Sequence, residues 1–212
     1  MAHPLQLLPS ELLLLVFSFL ELRSYIILHG VCKVWKQLLP FADIHPIRRR
    51  MFNLFHHMLN HSGFFDTRSW PLQTVQRFDR KTYIEALLSQ YPAIPEELEL
   101  WILEWPARTV IFSIWPGSPF TYYQEFTRDQ VDGINWLAYV PEGSPSLLTL
   151  VHRNPIHYYH QMPALLIWTD EAKILWLIFD TNEPELFGSA QWTCWMVDEA
   201  AIECRFPKPE DE

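Results

Sequence analysis

Three histidines within six residues, His56, His57 and His61, are the first in this chain of 212 residues to invite a chemical reading. Residues 57 and 61 lie one helical turn apart, the spacing at which two imidazoles can share a metal. No Glu or Asp stands near them in a metalloprotease-like spacing, so the pair reads as surface or core-edge histidine. His152, His157 and His160 fall in a Pro- and Tyr-rich stretch, where Tyr158 and Tyr159 make a contact segment the simpler reading. Cys194 has no evident base or oxyanion motif beside it, and its place in an alternating run assigns it to a strand's core side. Cys32, Cys194 and Cys204 are an odd number with no close-spaced pair, which implies neither a disulfide framework nor a zinc site and fits a reducing compartment, cytoplasmic or nuclear. Six glycines leave no phosphate-cradling loop. Asp170, Glu171 and Asp180 are turn and strand-end carboxylates with no pairing evident in sequence. The expectation is a chain with no catalytic residue, no cofactor and no metal.

What remains is a surface for binding. Ten tryptophans are too many for all to be fully buried, given the size of indole, and indole anchors many interfaces. The turn Trp115-Pro116-Gly117-Ser118-Pro119 and the segment from Pro155 to Tyr159 are the expected contributors. Trp115, Tyr158, Tyr159 and Trp168 are the candidate target contacts. Residues 1–81 carry ten Lys and Arg against five Asp and Glu, and residues 82–212 carry six against twenty. The acidic larger part disfavours nucleic acid and favours a basic or neutral partner surface. Arg48-Arg49-Arg50 is read as a solvated helix face.

The elements that must position such a surface follow from periodicity. Ala42 to His61 repeats apolar residues at three- and four-residue steps and reads as a helix, stopped by Gly63. Arg68 to Arg80 reads as a connector. Helices are expected over Thr82 to Gln90, ended by Pro92, and from Pro95 to Trp105, opened by proline and glutamates. Ala164 to Trp168 and Ile174 to Asp180, around a short polar loop, read as a β-hairpin. Leu147 to His152 and Gln191 to Val197 are further strands. The fold class is α+β: three amino-terminal helices, further helices, and a carboxy-terminal antiparallel meander packed together. The expected divisions are 1–40, a helical connector over 41–92, an α+β domain over 93–207, and a frayed tail over 208–212.

The amino-terminal segment is the most informative. Pro9, Ser10 and Glu11 are helix-start residues, with Ser10 placed to cap. From Leu12 to Leu20 all but Ser18 are apolar, so a helix there is greasy nearly all round, where a surface helix shows one apolar stripe. A short leader offers only one small core. The spare face, Leu12, Val16, Phe19 and Leu20 beside Leu8 and Pro9, must therefore meet another chain. The run is about half the ~20 residues a membrane span needs, and it lacks a signal peptide's basic leader and small-residue cleavage site. A second helix follows through Leu22, Tyr25, Ile26 and Leu28 with Gly30 as C-cap. A third carries Val31, Val34, Trp35, Leu38 and Leu39, ended by Pro40.

Leu8-Pro9, the apolar helix and Val31-Cys32-Lys33-x-Trp35 at this spacing resemble an F-box. That resemblance implies a three-helix module docking on a Skp-family adaptor of a cullin-scaffold ubiquitin ligase. Leu8, Pro9, Leu12, Val16, Leu20, Val31, Cys32, Lys33 and Trp35 would be its adaptor-facing and core positions. The whole layout looks like a group of fungal F-box proteins, and the order of helices and hairpin is similar to SUKH-type binding domains. The function implied is a non-catalytic target-recognition subunit of an SCF-type ligase, without nucleic-acid or membrane partners. Two rivals are a small enzyme or ligand-binding domain on which the apolar helices merely pack, and an F-box scaffold outside any ligase.

Overall fold

Pro9 opens the first helix, and its carbonyl accepts from the amides of Leu12 and Leu13, both at 3.1 Å. The computed structural model describes residues 8–66, 68–110, 114–122, 133–138, 147–153, 159–170 and 173–194. Helices α1 (Ser10–Ser18), α2 (Leu22–Val31) and α3 (Lys33–Leu38) follow closely, and a 3-10 turn, Leu39–Phe41, holds Pro40. Two expected caps move. Ser10 is already helical and its side chain caps nothing, because the ring of Pro9, at φ −53°, sets the entry by itself. Gly30 lies inside α2, and the break falls at Cys32, whose extended backbone at φ −156° separates the helices. Val31 therefore ends α2 instead of starting α3.

Helix α4 (Pro46–Leu59) buries Ile47, Met51, Phe52, Phe55 and Met58 along one stripe, while Leu54, part of the repeat that marks the helix, faces water. It stops at Asn60, ahead of Gly63, which sits inside the short α5 (Ser62–Asp66). The expected connector contains α6 (Ser69–Thr74). Asp79 caps α7 (Arg80–Leu88), accepting from the amides of Lys81 and Thr82 at 3.0 and 3.2 Å. The first turn of α8 (Glu96–Glu104) carries Glu96, Glu97 and Glu99, where carboxylates suit the helix dipole.

The strands are β1 (Thr121–Tyr122), β2 (Gly133–Asn135), β3 (Leu147–Arg153), β4 (Tyr159–Asp170), β5 (Lys173–Ile178) and β6 (Ala190–Cys194). All the pairings are antiparallel. The expected hairpin is β4 on β5, Leu165 opposite Leu177, and β6 extends it. β3 and β2 lie end to end along the other edge of β4, opposite residues 159–165 and 168–170. The class is α+β, helices first and sheet after.

The dense apolar runs of β4 and β5 make sense because both faces of the sheet are covered. Leu165, Ile167, Leu175 and Leu177 join the helices in one core cluster, which runs unbroken from Leu13 and Phe17 in α1 to Phe179. Met162, Ala164, Leu166, Ile174, Trp176 and Ile178 form a second cluster on the opposite face. A bulge between Leu166 and Trp168 turns the Trp168 indole over β2. There a Cβ on Gly133 would come within 1.8 Å of Trp168 Cζ2. Gly133→Ala is therefore expected to destabilise the chain by about 1–3 kcal/mol through overpacking, read by urea denaturation. A cost within error of zero would mean that the indole moves aside freely.

Candidate functional site

At 3.6 residues per turn, Leu12, Leu15, Val16 and Phe19 fall on one ~100° arc of α1 and Leu13 and Phe17 on the next. The second arc is the core face, with Leu13 and Phe17 buried. The first faces water: Leu12 is 47 % exposed, Val16 46 % and Phe19 79 %. Pro9 is exposed beside them, and Leu8 and Leu20 are half-buried against the core. Ile27, Val31, Val34 and Phe41 add exposed apolar side chains from α2, α3 and the 3-10 turn. Val34, in the third helix as expected, faces water. Each large apolar side chain left wet forgoes about 1.5–3 kcal/mol of burial, and contiguous patches of this kind mark partner sites.

The remaining adaptor-type positions divide. Lys33 is exposed at the start of α3, and Cys32 is half-buried with a free thiol. Trp35, at 9 % exposure, belongs to the core, edge-on to Phe17 at 6.0 Å between ring centres. It supports the face from behind. Tyr25 supports it too: its hydroxyl, fully buried, donates to the Phe17 carbonyl, and burial pushes its pKa up.

Two of the three consecutive arginines, Arg48 and Arg49, are rivets, and the expectation of a solvated face holds only at Arg50. Cations in the first turn of a helix oppose its dipole by about 0.3–1 kcal/mol, a cost that other partners can offset. Arg48 Nε donates to both carboxylate oxygens of Glu104, at 3.0 and 2.9 Å, and that carboxylate also accepts from the Leu22 amide at 2.8 Å. Glu104, at the far end of α8, thus satisfies an orphan N–H at the start of α2. Arg49 donates to the carbonyls of Leu39 and Ala42 at 3.2 and 2.6 Å, closing the end of the amino-terminal helices. Arg50 reaches Glu97 at 2.6 Å, an exposed pair of small energetic weight. The apolar face is consequently held in a fixed pose on the body.

His57 and His61, read from their spacing as surface or core-edge histidines, are both exposed. Among the described residues no group of three or more His, Cys, Asp and Glu is placed to hold a metal. His56 pairs instead with His29 of α2, ring centres 4.2 Å apart, against Phe52 and Phe55. Burial first, then His29 and Lys36, hold His56 below the ordinary histidine pKa; burial and Lys36 do the same to His29. Both imidazoles fold neutral, so the unfolded chain binds more protons. Stability is full above about pH 6.5 and falls as pH drops through the unfolded value toward the lower folded ones. The melting temperature is expected to decline between pH 7.5 and 5.5, and His29→Phe to flatten that decline. An unchanged slope in the variant would clear the pair of any part in it.

The candidate target contacts fare differently. Trp115 is 0 % exposed: it lies under Arg80 and edge-on to Trp101 at 5.0 Å between ring centres, so the tryptophan of the expected surface turn is core. Trp168 is also buried, under β2. Tyr158 lies outside the described residues, and Tyr159 begins β4, its side chain outside the described part. Residues 116–120 of the turn do line an open cavity of about 220 Å³, together with Gln76, Arg77 and Phe78. A second cavity, equally about 220 Å³ but apolar, opens between α8 and the sheet. Both fall short of the ~300–1,000 Å³ of a drug-sized ligand site. Neither was legible in sequence, since each joins segments far apart in the chain.

Residues 5–42 match the F-box-like family model, so the segment presenting the apolar face is an F-box-like domain, a kind of module that binds Skp-family adaptors. Neither the curated proteins nor the solved structures contain a match to the chain. No helix among the described residues is long and apolar enough to cross a membrane.

Proposed function

We propose that this chain is a target-recognition subunit of an SCF-type ubiquitin ligase. The F-box-like domain seats a Skp-family adaptor on Pro9, Leu12, Val16 and Phe19, with Val31, Cys32 and Lys33 beside them. The α+β body, whose order of elements is similar to SUKH-type binding modules, holds a target protein. The adaptor and cullin work in the cytosol or nucleus, and the partner enzymes do the chemistry. This chain supplies proximity, which converts an encounter between target and charged enzyme into an effectively intramolecular step.

The observation that carries the reading is the exposed apolar arc of α1, within the segment that matches the F-box-like model. The Glu104 carboxylate of α8, which accepts from Arg48 of α4 and from the Leu22 amide of α2, supports it further, because a receptor that holds its target at a set distance needs its docking helices fixed to the target-binding body.

Co-expression with a Skp-family adaptor and a cullin, followed by affinity purification of the chain, tests the proposal. A stoichiometric complex of all three is expected, and Leu8→Ala/Pro9→Ala is expected to weaken it. A folded wild-type chain that captures no adaptor would refute the reading. Capture of adaptor without cullin would make the protein a scaffold outside the ligase.

A further inference from the structure

The receptor reading leaves the mode of target binding open, and any assignment of that mode rests on the reading itself. The open cavity of about 220 Å³ between the segment before α7 and the turn after Trp115 is framed by hydrogen bonds. The Gln76 amide donates to the Gly117 carbonyl at 2.7 Å, and a Cβ on Gly117 would stand only 2.3 Å from the Gln76 carbonyl oxygen. Asn135 holds the turn as well, its side-chain amide donating to the carbonyls of Trp115 at 2.9 Å and of Ser118 at 3.4 Å. Walls pinned in this way stand ready before a ligand arrives, which lowers the ordering cost of binding.

The polar side chains that line it, Gln76, Arg77 and Ser118, can all donate, and no Asp or Glu is among the lining residues. The Arg77 guanidinium is exposed and makes no ion pair or hydrogen bond among the described residues. Asp79, the carboxylate nearest to it along the chain, is engaged by the amides of Lys81 and Thr82. Ser118 is 4 % exposed, and its buried hydroxyl has no hydrogen-bond partner. Such a group has a bond to gain from any acceptor that it can turn to reach. Phe78, Pro119 and Phe120 supply apolar wall. A cavity of about 150 Å³ is enough for benzene, so this one takes a single residue. An acidic side chain would meet the donors and leave the apolar wall bare. A chain's last residue brings a carboxylate and an apolar side chain together, and arginine grips a carboxylate through two parallel bonds.

We propose that this cavity captures the carboxy-terminal residue of the target protein, with its carboxylate on Arg77 and Ser118 and an aliphatic side chain against Phe78, Pro119 and Phe120. The wider acidity of residues 82–212 opposes any anion, so the contact is made at Arg77, which precedes them, and it weakens with salt.

The test uses the full chain and a fluorescein-labelled peptide, Gly-Ser-Gly-Ser-Ala-Leu, ending in a free carboxylate or in an amide and read by fluorescence anisotropy. The free acid is expected to bind at least tenfold more tightly than the amide, and at least threefold more tightly than an acid ending in glycine. Arg77→Gln is expected to bring the free acid down to the affinity of the amide and to leave the amide unchanged. Ser118→Ala is expected to weaken the free acid at least threefold while the melting temperature of the unliganded chain holds or rises, because the variant sheds an unbonded hydroxyl. Equal binding of acid and amide, or unchanged acid binding by a folded Arg77→Gln chain, would overturn the proposal. So would tighter binding of an amidated peptide carrying phosphoserine, which would give the cavity to a phosphate. Failure to bind the free acid by a chain that captures adaptor would overturn the pocket and leave the receptor reading standing. Acid-selective binding by a chain that captures no adaptor would uphold the pocket and refute the receptor reading.

Discussion

Replacing Glu104 with alanine is expected to cost about 3–5 kcal/mol of folding stability, the range for breaking a buried ion pair from one side. The carboxylate is only 7 % exposed, at the carboxy end of α8, where the helix dipole disfavours it. Its place is maintained by what it joins: the Arg48 guanidinium from α4 and the Leu22 amide at the start of α2. The alanine variant leaves Arg48, itself 23 % exposed, without its counter-charge, and leaves an orphan N–H at the head of α2. Glu104→Gln keeps an acceptor for Leu22 and should cost less. The double variant Arg48→Met/Glu104→Leu removes both charges together and should be milder than Glu104→Ala. Denaturant unfolding of the three variants measures this order. A loss below about 1 kcal/mol for Glu104→Ala would give the contact the weight of a surface ion pair and remove the argument for a fixed docking pose.

The second large effect separates the front of the docking face from its support. Trp35→Ala is expected to cost about 3–5 kcal/mol, because it empties the space behind Phe17. Adaptor binding should fall with it, as a consequence of lost folding. Leu12→Asp and Val16→Asp place a carboxylate on the water-facing arc instead. They should leave the melting temperature within a few degrees of wild type and still abolish adaptor capture, since an unpaired charge would be buried at the contact.

Much of this arrangement was legible in the residues themselves. The excess of leucine around α1 required a second burial surface, and the structure leaves Leu12, Val16 and Phe19 in the open. The runs around β4 and β5 gave the hairpin, because a strand covered on both faces needs no polar alternation. What stayed hidden depended on pairings distant in sequence. His56 meets His29 of α2, and Arg48 finds Glu104 across 56 residues. One signal for the rivets was present: arginines in the first turn of a helix oppose its dipole, a cost that other partners can offset. Trp115 misleads because Pro116, Gly117 and Pro119 mark a turn, and a turn reads as surface. Asn135 donates its side-chain amide to the Trp115 carbonyl at 2.9 Å and helps bind that turn inside. Gly30 and Ser10 read as caps by residue type, while the backbone at Cys32 and the ring of Pro9 set the boundaries.

The most direct measurement is isothermal titration of a purified Skp-family adaptor into the wild-type chain and into Val16→Asp, with thermal melts of both. Submicromolar binding by wild type, and at least a hundredfold loss in a variant that melts like wild type, is the expected result. Unchanged binding by a folded Val16→Asp chain, or no binding by a folded wild type, would contradict the assignment of the α1 face as the adaptor-docking surface.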